Sequence, residues 1–185
     1  MLICEKYFHF DFFVHFLKSF LSAKASQWLI GGNANYSFIK SKDYKISSFE
    51  ILPNAGYFFL DKFAGGLRPG FNSETTYSKY RTSAIFIGPF VRYYFLPADQ
   101  KLNLFTDISF AYSWSKFKNL VAQYTSSFKF NYYQLGFMAG PSIFLNEHTS
   151  LEFTVGYKYS TGSPKDTATE NSIRVGIGLQ IHIGK

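Results

Sequence analysis

From Trp28 onward the apolar residues recur at every second position rather than every third or fourth, the spacing of strands whose two faces differ chemically. The closing segment shows this most clearly. Ile173, Val175, Ile177, Leu179, Ile181 and Ile183 share one face, while Ser172, Arg174, Gly176, Gly178, Gln180 and His182 share the other. The segment before it sets Leu151, Phe153, Val155, Tyr157 and Tyr159 against Glu152, Thr154, Gly156, Lys158 and Ser160. An earlier one sets Leu102, Leu104, Ile108, Phe110, Tyr112 and Trp114 against Asn103, Asp107, Ser109, Ala111 and Ser113. The pattern predicts eight such strands, over 28–39, 48–59, 63–72, 82–95, 102–114, 130–144, 150–160 and 171–183. At roughly 10 to 14 residues they exceed the usual strand of a globular protein and match a tilted strand crossing a bilayer.

Antiparallel sheets in water alternate too, so the content of the second face decides between the two settings. A soluble sandwich would carry Lys, Glu, Thr and Gln there. This chain carries Gly, Ala, Ser and Asn, with single charges on different segments: Glu50, Arg68, Arg92, Asp107, Glu152, Lys158 and Arg174. Small residues and charges of both signs suit the narrow interior of a closed eight-stranded barrel, where buried ions must pair. Closure also removes the strand edges that lipid cannot solvate. The expected fold is therefore all-β, an eight-stranded antiparallel up-and-down transmembrane β-barrel, with those seven charges forming a structural network in its lumen.

The connections near 60–62, 97–101 and 145–149 read as short, and those near 40–47, 73–81, 115–129 and 161–170 as longer and polar. Short turns on the periplasmic side and long loops outside would place both termini in the periplasm. Aromatic residues agree, with Trp28, Tyr57 and Tyr93 at the inner ends and Tyr36, Trp114, Tyr133 and Tyr159 at the outer ends. Pro53, Pro69, Pro89 and Pro141 fall inside predicted strands, where proline cannot donate to the ladder. Bulges beside Gly70, Gly88 and Gly140 are expected to accommodate three of them. Pro53 has no adjacent glycine.

The 21% aromatic content against 17% charge fits strands whose ring-bearing face meets an apolar medium. A net charge of +7 invites a nucleic-acid reading, but Lys40, Lys42, Lys45, Lys79, Arg81, Lys116, Lys118, Lys129 and Lys165 are spread over the polar connections among acids. That scatter argues against a nucleic-acid face. Cys4 is the only cysteine, so neither an intrachain disulfide nor a CxxC metal site exists. Residues 10–21 are rich in Phe, Val and Leu and lead to Ala23 and Ala25, a small-x-small pattern. A signal peptide over 1–25 and a barrel domain over 26–185 are expected. No later run approaches the length of a membrane-spanning helix.

The stretches Ile87-Gly88-Pro89-Phe90-Val91-Arg92-Tyr93-Tyr94-Phe95 and Met138-Ala139-Gly140-Pro141-Ser142 resemble strand motifs of the outer-membrane β-barrel domain family. The resemblance extends to Gly31-Gly32-Asn33 and to Val175-Gly176-Ile177-Gly178-Leu179, covering nearly all of 27–183. It implies an OmpX/OmpA-like, porin-family-like small barrel in the bacterial outer membrane, most members of which carry no assigned activity. Members usually finish on an aromatic residue, whereas this chain closes on Ile183-Gly184-Lys185.

No catalytic constellation emerges. His9 and His15 belong to the expected signal, and His148 and His182 lack a serine or carboxylate at motif spacing. Glu147-His148 reads as an exposed turn rather than a metal site. The expectation is a non-enzymatic protein without cofactor or metal. Its loops would contact lipopolysaccharide or an external ligand, with outer-membrane lipid, periplasmic chaperones and the barrel-assembly machinery as partners and a monomer as the unit. Two alternatives stand beside it: a narrow channel for small solutes, and a soluble lipocalin-like ligand-binding barrel.

Overall fold

The computed structural model describes residues 27–40, 45–76, 80–97, 100–119, 127–163 and 169–184, and the expected signal peptide lies outside them. Eight strands follow in order: β1 (Trp28–Lys40), β2 (Lys45–Leu60), β3 (Phe63–Thr76), β4 (Tyr80–Tyr94), β5 (Leu102–Asn119), β6 (Ser127–Phe144), β7 (Thr149–Ser163) and β8 (Glu170–Ile183). Each pairs antiparallel with the next, and β8 returns to β1 to close the barrel.

Alternation sorts side chains between an outer wall and a lumen. On β8 every aliphatic residue from Ile173 to Ile183 is exposed, while Gln180 and His182 are buried. That run spans eleven residues. With the usual rise and tilt it covers about 25 Å of height, the thickness of a bilayer's apolar band. Aromatic pairs border the band. At the end where β1 starts and β8 finishes, Trp28 meets Tyr57 edge-on at 5.3 Å and Phe63 meets Tyr93 at 4.6 Å. At the far end Tyr112 contacts Trp114 at 4.9 Å and Tyr133 at 5.3 Å.

At that far end the strands run past their expected limits. β5 reaches Asn119 and β6 begins at Ser127, while β3 continues to Thr76 and β7 to Ser163. The expected connections 40–47, 73–81, 115–129 and 161–170 shrink to 41–44, 77–79, 120–126 and 164–169. The other end has 61–62, 95–101 and 145–148, so the expected contrast in loop length is not what distinguishes the two ends. Pairing needs backbone groups rather than apolar side chains, and it continues through Lys116 opposite Lys129 and Phe117 opposite Phe128. Polarity marks where the apolar band stops, not where the strand stops. Arg81, Lys116, Lys118 and Lys129, expected in connections, are strand residues.

The prolines are also accommodated differently. Pairing of β2 with β3 lapses between Ile51–Phe71 and Ala55–Leu67 and resumes in the same register. That register sets Pro53 opposite Pro69, so one gap in the ladder serves both residues that lack an N–H. Pro53 in turn faces Gly32 of β1, the glycine that its own segment lacks. Pro89 and Pro141 sit in equivalent gaps on β4–β5 and β6–β7, again without a change of register. The expected bulges at Gly70, Gly88 and Gly140 do not form. The register shift of the β2–β3 pair lies instead between Phe58 and Leu60. Gly88 and Gly140 act by letting backbones approach: a Cβ on Gly88 would strike the Phe110 carbonyl, and one on Gly140 the Phe153 carbonyl.

Gly140→Val should therefore lower stability by roughly 2 kcal/mol or more, since backbone cannot step aside as a side chain can. Gly65→Ala should cost far less, because its nearest neighbour is the exposed Phe59 ring. Urea unfolding in lipid vesicles, followed by Trp28 and Trp114 fluorescence, compares the two.

Candidate functional site

The lumen holds the polar chemistry of the chain, built from inward positions on all eight strands. Toward its inner end Leu29, Phe58, Ala64, Phe90, Tyr94 and Phe105 form one buried apolar cluster. Above it lies a layer of ions. Arg68 grips Asp107 with two hydrogen bonds of 2.7 Å each. Arg92 donates from Nε to the same carboxylate at 3.1 Å, and from Nη1 to both oxygens of Glu152 at 2.8 and 3.0 Å. The layer continues through Gln180, whose Nε2 lies 3.3 Å from Glu152 and 3.1 Å from the Asn54 amide oxygen. Two cations and two anions thus neutralise one another out of contact with water.

Aromatic faces complete that layer. The Arg92 guanidinium lies 4.3 Å over the Phe105 ring, and that of Arg68 lies 4.4 Å over Phe90. A flat, weakly hydrated guanidinium can satisfy a carboxylate at its edge and a ring at its face together, which an ammonium cannot. Tyr94 adds its hydroxyl, 3.2 Å from Arg92 Nη1.

A second group of charges lies on β2, β7 and β8. Glu50 accepts from the Asn35 amide at 3.0 Å and from the Arg174 guanidinium, with the Lys158 ammonium at 3.7 Å. All seven charges singled out in the sequence therefore point inward: Arg68, Arg92, Asp107 and Glu152 in one cluster, Glu50, Lys158 and Arg174 in the other. No ion pair among the described residues joins the two. Opposite the second group, Leu52, Phe86, Ala111 and Met138 form another buried apolar cluster.

Sequence reasoning misses several lumen residues. Asn54 and Asn35 carry no charge to draw attention, although their place on the inward face follows from alternation alone, whereas Gln180 already stands on the polar face of the closing segment. The inward rings are hidden for another reason. β4 alternates Ile85, Ile87 and Val91 with Phe86 and Phe90, so both faces are apolar and no contrast marks the inner one.

Two cavities flank the ion layer. One of about 40 Å³ lies between Glu50, Arg68, Lys158, Arg174 and Met138, room for a few waters at most. The other, about 540 Å³, opens at the inner end between Phe58, Tyr94, Phe144 and His182. Fully buried Arg92, Asp107 and Glu152 stand between them. Glu50, Asp107 and Glu152 are each engaged by at least one cation, an arrangement that braces strands and leaves none of the three as a free base. His182 packs against Phe58, Tyr94 and Phe144 at ring distances of 5.2–5.9 Å, and His148 Nδ1 lies 3.2 Å from the His182 carbonyl.

No family model matches the chain, and no curated protein matches it by sequence. Solved structures do match by shape. Neisserial surface protein A (NspA) superposes with a TM-score of 0.61 at 13% identity, covering 84% of this chain and 96% of its own. A major outer membrane protein of Thermus thermophilus gives 0.55 at 11% identity, covering 86% and 100%. OprG of Pseudomonas aeruginosa gives 0.51 at 16% identity, covering 88% and 98%. At these identities the likeness is one of fold: the small eight-stranded barrel.

Removing Arg92 strands Glu152 with only neutral partners, whereas Asp107 keeps Arg68. Arg92→Met should therefore destabilise by about 3–5 kcal/mol, the usual cost of leaving a buried charge unpaired. Glu152→Gln keeps an acceptor for Arg92 and should cost clearly less. Denaturant midpoints of the two variants in the same lipid decide the order.

Proposed function

We propose that this chain is an integral outer-membrane β-barrel protein, acting as a non-enzymatic anchor that presents its outer end to lipopolysaccharide or an external ligand. The observation that carries the reading is the inversion of polarity: aliphatic and aromatic side chains cover the wall, and neutralised ions fill the middle. A soluble lipocalin-like barrel needs the reverse, an apolar interior within a wettable wall. Exposed Ile177, Leu179, Val155 and Phe153 weigh against it. In water so large an apolar surface would drive aggregation; in a bilayer it is the solvent-matched surface.

The channel reading fares less well than the anchor for a second reason. Arg92 is fully buried between Asp107 and Glu152 with the Phe105 ring against its face, and an ion crossing the barrel would have to break that layer. A pore needs weak, hydrated sites rather than a dry brace. The single closed sheet supplies every strand with two partners, so a monomer is the expected unit. Insertion then depends on periplasmic chaperones and the barrel-assembly machinery, as for a wall too apolar to travel through water unaccompanied.

Purified protein refolded into vesicles should migrate faster on unboiled gels than after boiling, and lipids brominated along their chains should quench Trp28 and Trp114. In planar bilayers the same preparation should show no discrete conductance steps. Regular single-channel steps would replace the anchor with a pore, and failure to shift on gels would remove the barrel from the membrane altogether.

A further inference from the structure

Above the apolar band, β4, β5 and β6 carry an outward face unlike the rest of the wall. Arg81 and Lys118 are directly opposite one another across β4 and β5, and Lys116 and Lys129 across β5 and β6. All four are exposed. Opposed strand positions bring Cβ atoms to about 5 Å, where like charges repel and weaken the sheet unless something neutralises them. No described residue supplies that partner. Among the described residues no strand carries a carboxylate on its outward face, and no ion pair reaches any of the four. Of the described acids, Glu50, Asp107 and Glu152 stand inside the barrel and Asp61 and Glu147 lie in turns at the opposite end, while Glu74 and Glu170, at the same end as the cations, occupy inward-alternating positions of β3 and β8.

Depth identifies what does neutralise them. Lys116 follows Trp114 by one outward step on β5, and Lys129 lies two outward steps beyond Tyr133 on β6. One such step climbs roughly 5 Å along a tilted strand, so the ammonium groups stand just above the aromatic girdle, at the level of lipid headgroups. We propose that Arg81, Lys116, Lys118 and Lys129 form a lateral site for the phosphates of an outer-leaflet lipid lying against β4–β6, a bisphosphorylated glycolipid of the lipid A type. Two pairs of opposed cations match two phosphates, and the acyl chains of the same molecule would lie along Ile85, Trp114 and Leu135 below. This rests on the outer-membrane reading and moves the lipopolysaccharide contact from loops to the paired face of the strands.

The test uses the full barrel in phosphatidylcholine vesicles doped with lipid A, released into the gas phase for native mass spectrometry. Wild type should retain one lipid A, and salt should weaken that retention. The variant Arg81→Gln/Lys116→Gln/Lys118→Gln/Lys129→Gln should lose at least roughly tenfold in retention, while Lys62→Gln/Lys101→Gln at the inner end should lose nothing. Dephosphorylated lipid A should not be held by wild type. Equal retention by wild type and the four-site variant, both confirmed as folded by gel shift, overturns the site. Competition by inorganic phosphate as effective as by lipid A would overturn the lipid as its occupant. Should the four-site variant fail to fold, Lys116→Gln/Lys129→Gln and the salt titration of wild type decide the same question. Absence of a gel shift in wild type would instead count against membrane insertion, which keeps the two failures apart.

Discussion

A barrel closed by only eight strands has an interior too narrow for bulk water, and the rest of this molecule follows from that. Any charge on an inward position at mid-height must be met by another inward charge, because neither solvent nor lipid reaches it. Asp107 is held by Arg68 and Arg92, Glu152 by Arg92, and Glu50 by Arg174 and Lys158. The partners come from strands far apart in the sequence: Arg92 on β4 reaches across the lumen to Glu152 on β7. These cross-links tie opposite walls together, which hydrogen bonds between adjacent strands cannot do.

Outside, the same closure imposes a different requirement. With no edge to pair, the wall is free to be uniformly apolar, and it is so until the strands rise above the aromatic girdle. There the outward positions turn cationic on β4–β6 while the backbone ladder continues. A side of the molecule that hydrophobicity alone would assign to loops is in fact ordered sheet, and that is what places four cations on one rigid face at a set depth.

The glycines and prolines show how the sheet tolerates what should break it. Proline removes a donor, and the cost stays small where the register leaves that donor without a job. Pro53 and Pro69 meet in a single gap, and Gly88 and Gly140 let neighbouring carbonyls close in beside Pro89 and Pro141. Pairs that look like local defects in the chain are complementary across strands.

Period-two alternation by itself marked out the eight strands and set Glu50, Arg68, Arg92, Asp107, Glu152, Lys158 and Arg174 on the face opposite the apolar residues, because alternation depends only on the pleat of a strand; that this face is a lumen came from its small and oppositely charged residues. It was blind wherever both faces are apolar, as at Phe86, Phe90 and Tyr94, and wherever a polar strand continues beyond the band, as at Lys116 and Lys129. Which inward charges meet, which prolines share a gap and which cations stand side by side are matters of register between strands. Register arises only when the sheet closes, since the offset of each strand against its neighbours is set by the whole circuit of the barrel and not by any one segment.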